Sequence, residues 1–170
     1  GQFMSEFHEF TSPPKAEDTN EFSFIFVSDP QSVSKKDYET LTFVLDYALT
    51  QVPNPAFIMM AGDITQDGYK ATQWKAFFES NLEKWASIPF MPAIGNHDFK
   101  ADPNYITFNS RFNTPDNGPS GDLGHTVYCF EFGDAFFATL NTEATPSSAL
   151  EPSIKLQLDW LRDKLAHTTK

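Results

Sequence analysis

The chain has 170 residues, enough for one domain with a packed core and too few for two. It is 40% hydrophobic with 18 Phe, which argues against disorder. Its formal net charge of −11 argues against duplex nucleic acid or an anionic membrane as partner, because both need a basic footprint. The single cysteine, Cys129, can form no internal disulfide, no apolar run approaches a membrane span, and no signal peptide is visible.

Residues 1–10 alternate loosely around Phe3, Phe7 and Phe10 and lead into Thr11-Ser12-Pro13-Pro14, followed by a polar, acidic run. The pattern predicts the remnant of a preceding β element over residues 1–12, a linker over 13–21 and the main domain over 22–170. Residues 22–27 (Phe-Ser-Phe-Ile-Phe-Val) suit a strand buried on both faces, ending in Ser28-Asp29-Pro30-Gln31. A helix is expected next, capped by Ser34 with Asp37 three residues on. Its apolar stripe is Tyr38, Leu41, Leu45, Ala48, Leu49 and Val52, and Pro53 and Pro55 end it.

Residues 56–61 form a second buried strand running into Gly62-Asp63. A helix over about 70–85 puts Trp74, Phe77, Phe78, Leu82 and Trp85 on one side, a core pattern. The third strand, residues 90–94, delivers Gly95-Asn96-His97-Asp98. Beyond it the expectations are a short helix over 104–112, a surface loop over 113–124 and a hairpin of 126–132 and 135–140 turning at Gly133-Asp134. A last helix begins near Pro152 with Ile154, Leu158, Leu161 and Leu165 on one face.

Asp63 follows Asp29 by 34 residues, and His97 follows Asp63 by 34, about one strand-helix-strand unit. Three parallel strands then bring the polar loops to one sheet edge, where open α/β folds place ligands. Asp29, Gln31, Asp63 and Asn96 are oxygen donors suited to hard or borderline divalent metals. Two close carboxylates also call for cations between them, and an anionic substrate would benefit from the same ions. His97 fits either a ligand or a proton donor to a leaving group, with Asp98 as the residue that orients its ring.

Asp29-Pro30-Gln31, Gly62-Asp63 and Gly95-Asn96-His97-Asp98, in that order, resemble the motifs of the calcineurin-like metallophosphoesterases, in particular the purple-acid-phosphatase-like branch. Tyr128-Cys129-Phe130-Glu131-Phe132-Gly133, Leu140-Asn141-Thr142-Glu143 and Asp159-Trp160-Leu161 support the resemblance, which covers residues 22–170. It implies the N-terminal half of an α/β, αββα-sandwich domain, preceded by the last strand of a fibronectin-III-like domain, which Phe10-Thr11-Ser12-Pro13-Pro14 resembles.

The implied reaction is hydrolysis of a phosphate mono- or diester by a hydroxide on a dinuclear centre of divalent or trivalent ions such as Fe, Mn or Zn. Asp29 would bind the first metal, Asp63 would bridge, and Asn96 would bind the second. His97 would protonate the leaving oxygen or steady the phosphoryl group. The resemblance also implies a small phosphoester as substrate and a secreted or cell-surface bacterial setting, while the acidic charge already speaks against nucleic acid or membrane as partner.

Three departures qualify it. Gln31 stands where the family's first motif usually has His. Gln66 stands where the purple branch has a Tyr ligand, so no purple colour is expected, and Asp67 reads as a helix-start residue. The remaining histidines, His8, His125 and His167, do not supply the Gly-His-x-His of a complete site: His125 reads as a surface or strand-start residue, His167 as a solvated last-turn one. The missing ligands are expected beyond Lys170 or on a companion chain, and the isolated chain is expected to be inactive. The rival expectation is a binding or scaffold module that kept the fold without the chemistry.

Overall fold

The computed structural model describes residues 7–10, 21–102, 104–119, 123, 125–143 and 150–169. Most of the expected strand and linker of residues 1–21 lies outside these. The described stretch 7–10 is neither strand nor helix and leaves Phe7 and Phe10 exposed.

Three parallel strands, β1 (Ile25–Val27), β2 (Ile58–Ala61) and β3 (Phe90–Ala93), form one sheet in the order β1-β2-β3, with Ile25 opposite Ile58 and Ile58 opposite Phe90. The middle strand is the buried one. β1 lies at an edge, so Phe26 is 60% exposed and the expectation of burial on both faces fails there. Side chains alternate across the sheet. Ile25, Ile58 and Met60 join Leu41 and Leu45 of helix α1 (Glu39–Gln51) and Trp74 and Phe77 of helix α2 (Ala71–Ser80) in the core. Phe57, one residue out of phase, turns to the other face.

That face is covered by the hairpin β4 (Tyr128–Phe132) and β5 (Ala135–Thr139), closed by Gly133-Asp134 as expected. The Phe57 ring lies 5.3 Å from Phe130, 5.6 Å from Phe132 and 5.2 Å from Phe137, between centroids. Edge-on aromatic packing thus joins the two sheets, and the Tyr128 hydroxyl donates to the Pro92 carbonyl at 2.8 Å. Helix α6 (Leu150–His167) covers the hairpin from outside: Gln157 brackets Asn141 with two hydrogen bonds of 2.8 Å. The layering is helices, parallel sheet, hairpin, helix.

Local departures from expectation have tertiary causes. Ser34 and Asp37 do bond (Oγ to Oδ2, 2.7 Å), but they close a turn, and α1 starts at Glu39. The helix expected over 70–85 breaks at Asn81 into α2 and α3 (Leu82–Ser87). The buried Asn81 amide donates to Thr42 Oγ1 at 3.1 Å and accepts from Lys84 at 3.0 Å, and Leu82 is left exposed. Tyr105, with left-handed φ of 55°, shortens the next helix to α5 (Ile106–Asn109), which follows α4 (Asn96–Phe99). The described part of the loop expected at the surface is tied down: Asn117 pairs with Cys129 of β4 through bonds of 2.8 and 3.0 Å. On α6 the buried residue is Gln157, while Ile154, Leu158 and Leu165 of the expected apolar face stay exposed.

Candidate metal centre at the strand ends

The carboxyl ends of β1, β2 and β3 carry the three polar loops, stitched together by main-chain and carboxylate bonds. The Asp29 amide donates to the Gly62 carbonyl at 3.3 Å, and the His97 amide donates to Asp63 Oδ1 at 2.9 Å. Asp29 and Asp63 both adopt left-handed φ, 54° and 50°. Asp tolerates this region better than most residues, because its short side chain can bond locally. Ser28 Oγ donates to the Asp29 carboxylate and lies 3.4 Å from the Ala61 carbonyl oxygen.

Glycines make the approach possible. Gly62 has φ of +84°, and a Cβ there would lie 2.9 Å from the Gly95 backbone. At Gly95 a Cβ would come within 2.2 Å of Asp63 Oδ1 and 2.3 Å of Asp63 N. Two strand-end turns therefore touch at van der Waals distance, with no room for a side chain between them.

Asp98 is fully buried and faces the interior. Its carboxylate accepts from the amides of Ile64 (3.0 Å), Thr65 (2.9 Å) and Gly95 (3.1 Å) and from Thr65 Oγ1 (3.2 Å). Burial pushes its pKa up to about 6 against the pull of those amides, and the Asp63 charge adds to the rise. The expected role of orienting the His97 ring is corrected: Asp98 spends its oxygens on the loop after β2. The ring instead meets Gln66, with Nδ1 2.9 Å from the Gln66 carbonyl oxygen and 3.1 Å from its side-chain Nε2. Reading the sequence reached Gln66 only as a departure from a motif. Its place three residues after Asp63, level with a loop carrying His97, was the available clue.

Beside this edge, Asp67 binds Lys70 at 2.8 Å and Lys100 at 2.7 Å, and the two ammonium groups hold its carboxyl well below the usual range. Gln73 Oε1 takes its amide at 2.7 Å, but α2 starts only at Ala71, so Asp67 lies in the turn before the helix and not at its start. His125 is half-buried, with its carbonyl accepting from Thr114, and His167 bonds within its own helix.

The donors available for a cation are oxygens. Asp29 and Asp63 bring carboxylates and Asn96 an exposed amide, while Gln31 Oε1 is buried with no hydrogen-bond partner among the described residues. An orphaned buried carbonyl oxygen is the kind of atom a cation satisfies. Among the described residues no three His, Cys, Asp or Glu side chains form a closed set. The described residues thus offer part of an oxygen-rich shell.

No curated protein matches the chain. Among solved structures, the purple acid phosphatase isolated from yellow lupin (Lupinus luteus) seeds matches with a TM-score of 0.66 at 12% identity. The alignment covers 94% of this chain and 30% of that one, so the chain spans under a third of its length and the likeness is one of fold. The calcineurin-like phosphoesterase family model matches residues 22–169, the segment that holds all three strand-end loops, and the chain belongs to that family.

Proposed function

We propose that the protein containing this chain hydrolyses phosphate mono- or diesters with two bound metal ions, and that these 170 residues carry the first half of its site. The observation that carries the reading is the joining of three strand-end loops through Asp29 N–Gly62 O and Asp63 Oδ1–His97 N, which gathers two acidic residues, an amide and an imidazole at one edge. Asp29, Asp63 and Asn96 would hold the ions, with Gln31 as a neutral oxygen donor. The ions would neutralise phosphate charge and activate water. Family membership supports metal-dependent phosphoester chemistry in general.

The chain's own residues do the rest. Asp98 fixes the loop after β2 against the turn at Gly95, which sets the position of Asp63. His97 stands next to Asn96 with its main chain pinned on both sides, and it would give a proton to the departing oxygen or hold a phosphoryl oxygen. In the isolated chain, a cation would have an incomplete shell, so we propose that this piece alone does not turn over. A secreted or cell-surface setting remains part of the proposal.

The test is hydrolysis of a chromogenic phosphate ester by the full-length protein before and after chelation. Turnover that disappears with the metal and returns on its re-addition supports the reading; turnover indifferent to chelation removes it. A non-catalytic scaffold is the second reading, favoured by Gln31 and Gln66 where the resemblance implies His and Tyr. Full-length protein that folds and binds Mn2+ yet hydrolyses nothing would establish that alternative.

A further inference from the structure

Near the N-terminus two aromatic rings stand in water, Phe7 at 92% exposure and Phe10 at 67%. They are three positions apart, and covering them would take a large apolar area out of water. Residues 1–21 also hold five acidic side chains, Glu6, Glu9, Glu17, Asp18 and Glu21, against the one cation Lys15. The arm that leads into the domain is thus both aromatic and acidic.

A surface of the opposite character runs along α6. Ile154, Leu158 and Leu165 are exposed and Leu161 half-buried, and their spacing of four, three and four makes one stripe beside the face that Gln157 docks on Asn141. The charged residues three or four positions from the three leucines are Lys155, Arg162 and Lys164, all basic. Asp159 pairs with both Lys155 and Arg162, so three cations share one carboxylate and the rim of the stripe stays positive. The exposed Phe43 of α1 offers no such excess, because Lys35 and Lys36 beside it are balanced by Glu39 and Asp46.

The arm joins the domain beside the end of this helix. Phe22 packs on Phe132 at 4.8 Å between ring centroids, and the neighbouring Glu131 accepts from Thr168 Oγ1 at 2.7 Å, just past the last turn of α6. Residues 11–21 can reach roughly 36 Å when extended, whereas Leu165 to Ile154 spans only roughly 17 Å of helix. We propose that the N-terminal arm folds back along α6 and seats Phe7 and Phe10 on the stripe of Ile154, Leu158, Leu161 and Leu165, with Glu9 against its basic rim. The tether makes the contact intramolecular, at an effective concentration on the order of millimolar, so modest contacts suffice. The stretch expected as a β remnant is then a clasp on this domain, and the contact is independent of the proposed metal chemistry.

Phe7 replaced by p-benzoylphenylalanine in the 170-residue chain tests this, by irradiation, digestion and mass spectrometry of the joined peptides. The expected product is a monomer cross-linked between position 7 and residues 154–165. Lys155→Glu with Arg162→Glu changes two exposed side chains outside the core and should lower the yield roughly threefold or more. Cross-links to another element, no cross-link, or a yield unchanged in the double variant would overturn the proposal. A covalent dimer would overturn it too, and would give the stripe to the arm of a second copy.

Discussion

The Asp63 carboxylate caps the amide of His97 at 2.9 Å, so one acidic side chain at the end of β2 fixes the start of the loop after β3. Asp63 also sits at left-handed φ, which Asn adopts at lower cost than Ala. Asp63→Asn keeps an acceptor oxygen and should cost about 1 kcal/mol, whereas Asp63→Ala loses the bond and adds strain, about 2–3 kcal/mol in all. Urea unfolding of both variants measures the difference; equal midpoints would show that the bond does not hold the loops.

Gly95 tests the closeness of the turns by sterics alone. Its φ of −113° suits any residue, so Gly95→Ala reports space and not backbone preference. The added methyl meets Asp63 N at 2.3 Å, a main-chain atom that cannot rotate away. We expect a loss of about 3 kcal/mol, at the upper end of ordinary overpacking. A Tm within 1–2 °C of wild type, below the shift that ~1 kcal/mol gives, would mean that the turns do not touch.

Asp98 makes stability depend on pH with a definite sign. Its pKa rises from the ordinary 3.8 to about 6 in the folded state, so the folded state binds the proton more tightly than the unfolded chain. The stability this confers is fully present below about pH 4 and is lost as pH rises through about 6, roughly 3 kcal/mol in total. Asp98→Asn carries no charge at any pH. It should flatten this slope while costing about 2 kcal/mol, because an NH2 group then faces backbone amides. Urea midpoints across pH 4–7 for both proteins check it; an unchanged slope in the variant would assign the effect to another group.

The sheet was legible because each strand is a short apolar run that stops at a polar turn, and the 34-residue spacing fixed which turns meet. What the sequence hid is set by contacts across the fold. Asn81 breaks a helix because Thr42, 39 residues earlier, takes its amide. The apolar period of α6 was visible but its facing was not, since Gln157 docks on Asn141 and leaves Leu158 outward. At the site, the residue types at positions 29, 63, 96 and 97 could be read in order. The inward turn of Asp98 and the hold of Gln66 on His97 could not, because both depend on which way a loop closes.

Phe57 joins the two sheets through three rings of the hairpin at centroid distances of 5.2–5.6 Å. Phe57→Ala should cost about 3–5 kcal/mol and loosen the hairpin first. Hydrogen exchange of the β4 and β5 amides reads this directly. Protection that falls equally in α1 and α2 would show that the two sheets unfold as one unit.

If Asp63 stands in a metal-dependent phosphoester site, its loss must show in kcat of the full-length protein, measured for Asp63→Asn against wild type on one chromogenic phosphate ester at saturating metal. The substitution keeps an acceptor oxygen for the His97 amide while removing one proposed anionic ligand. A fall in kcat of about 100-fold or more is expected, the scale on which loss of transition-state charge stabilisation is felt. Turnover by the folded variant equal to wild type would contradict it.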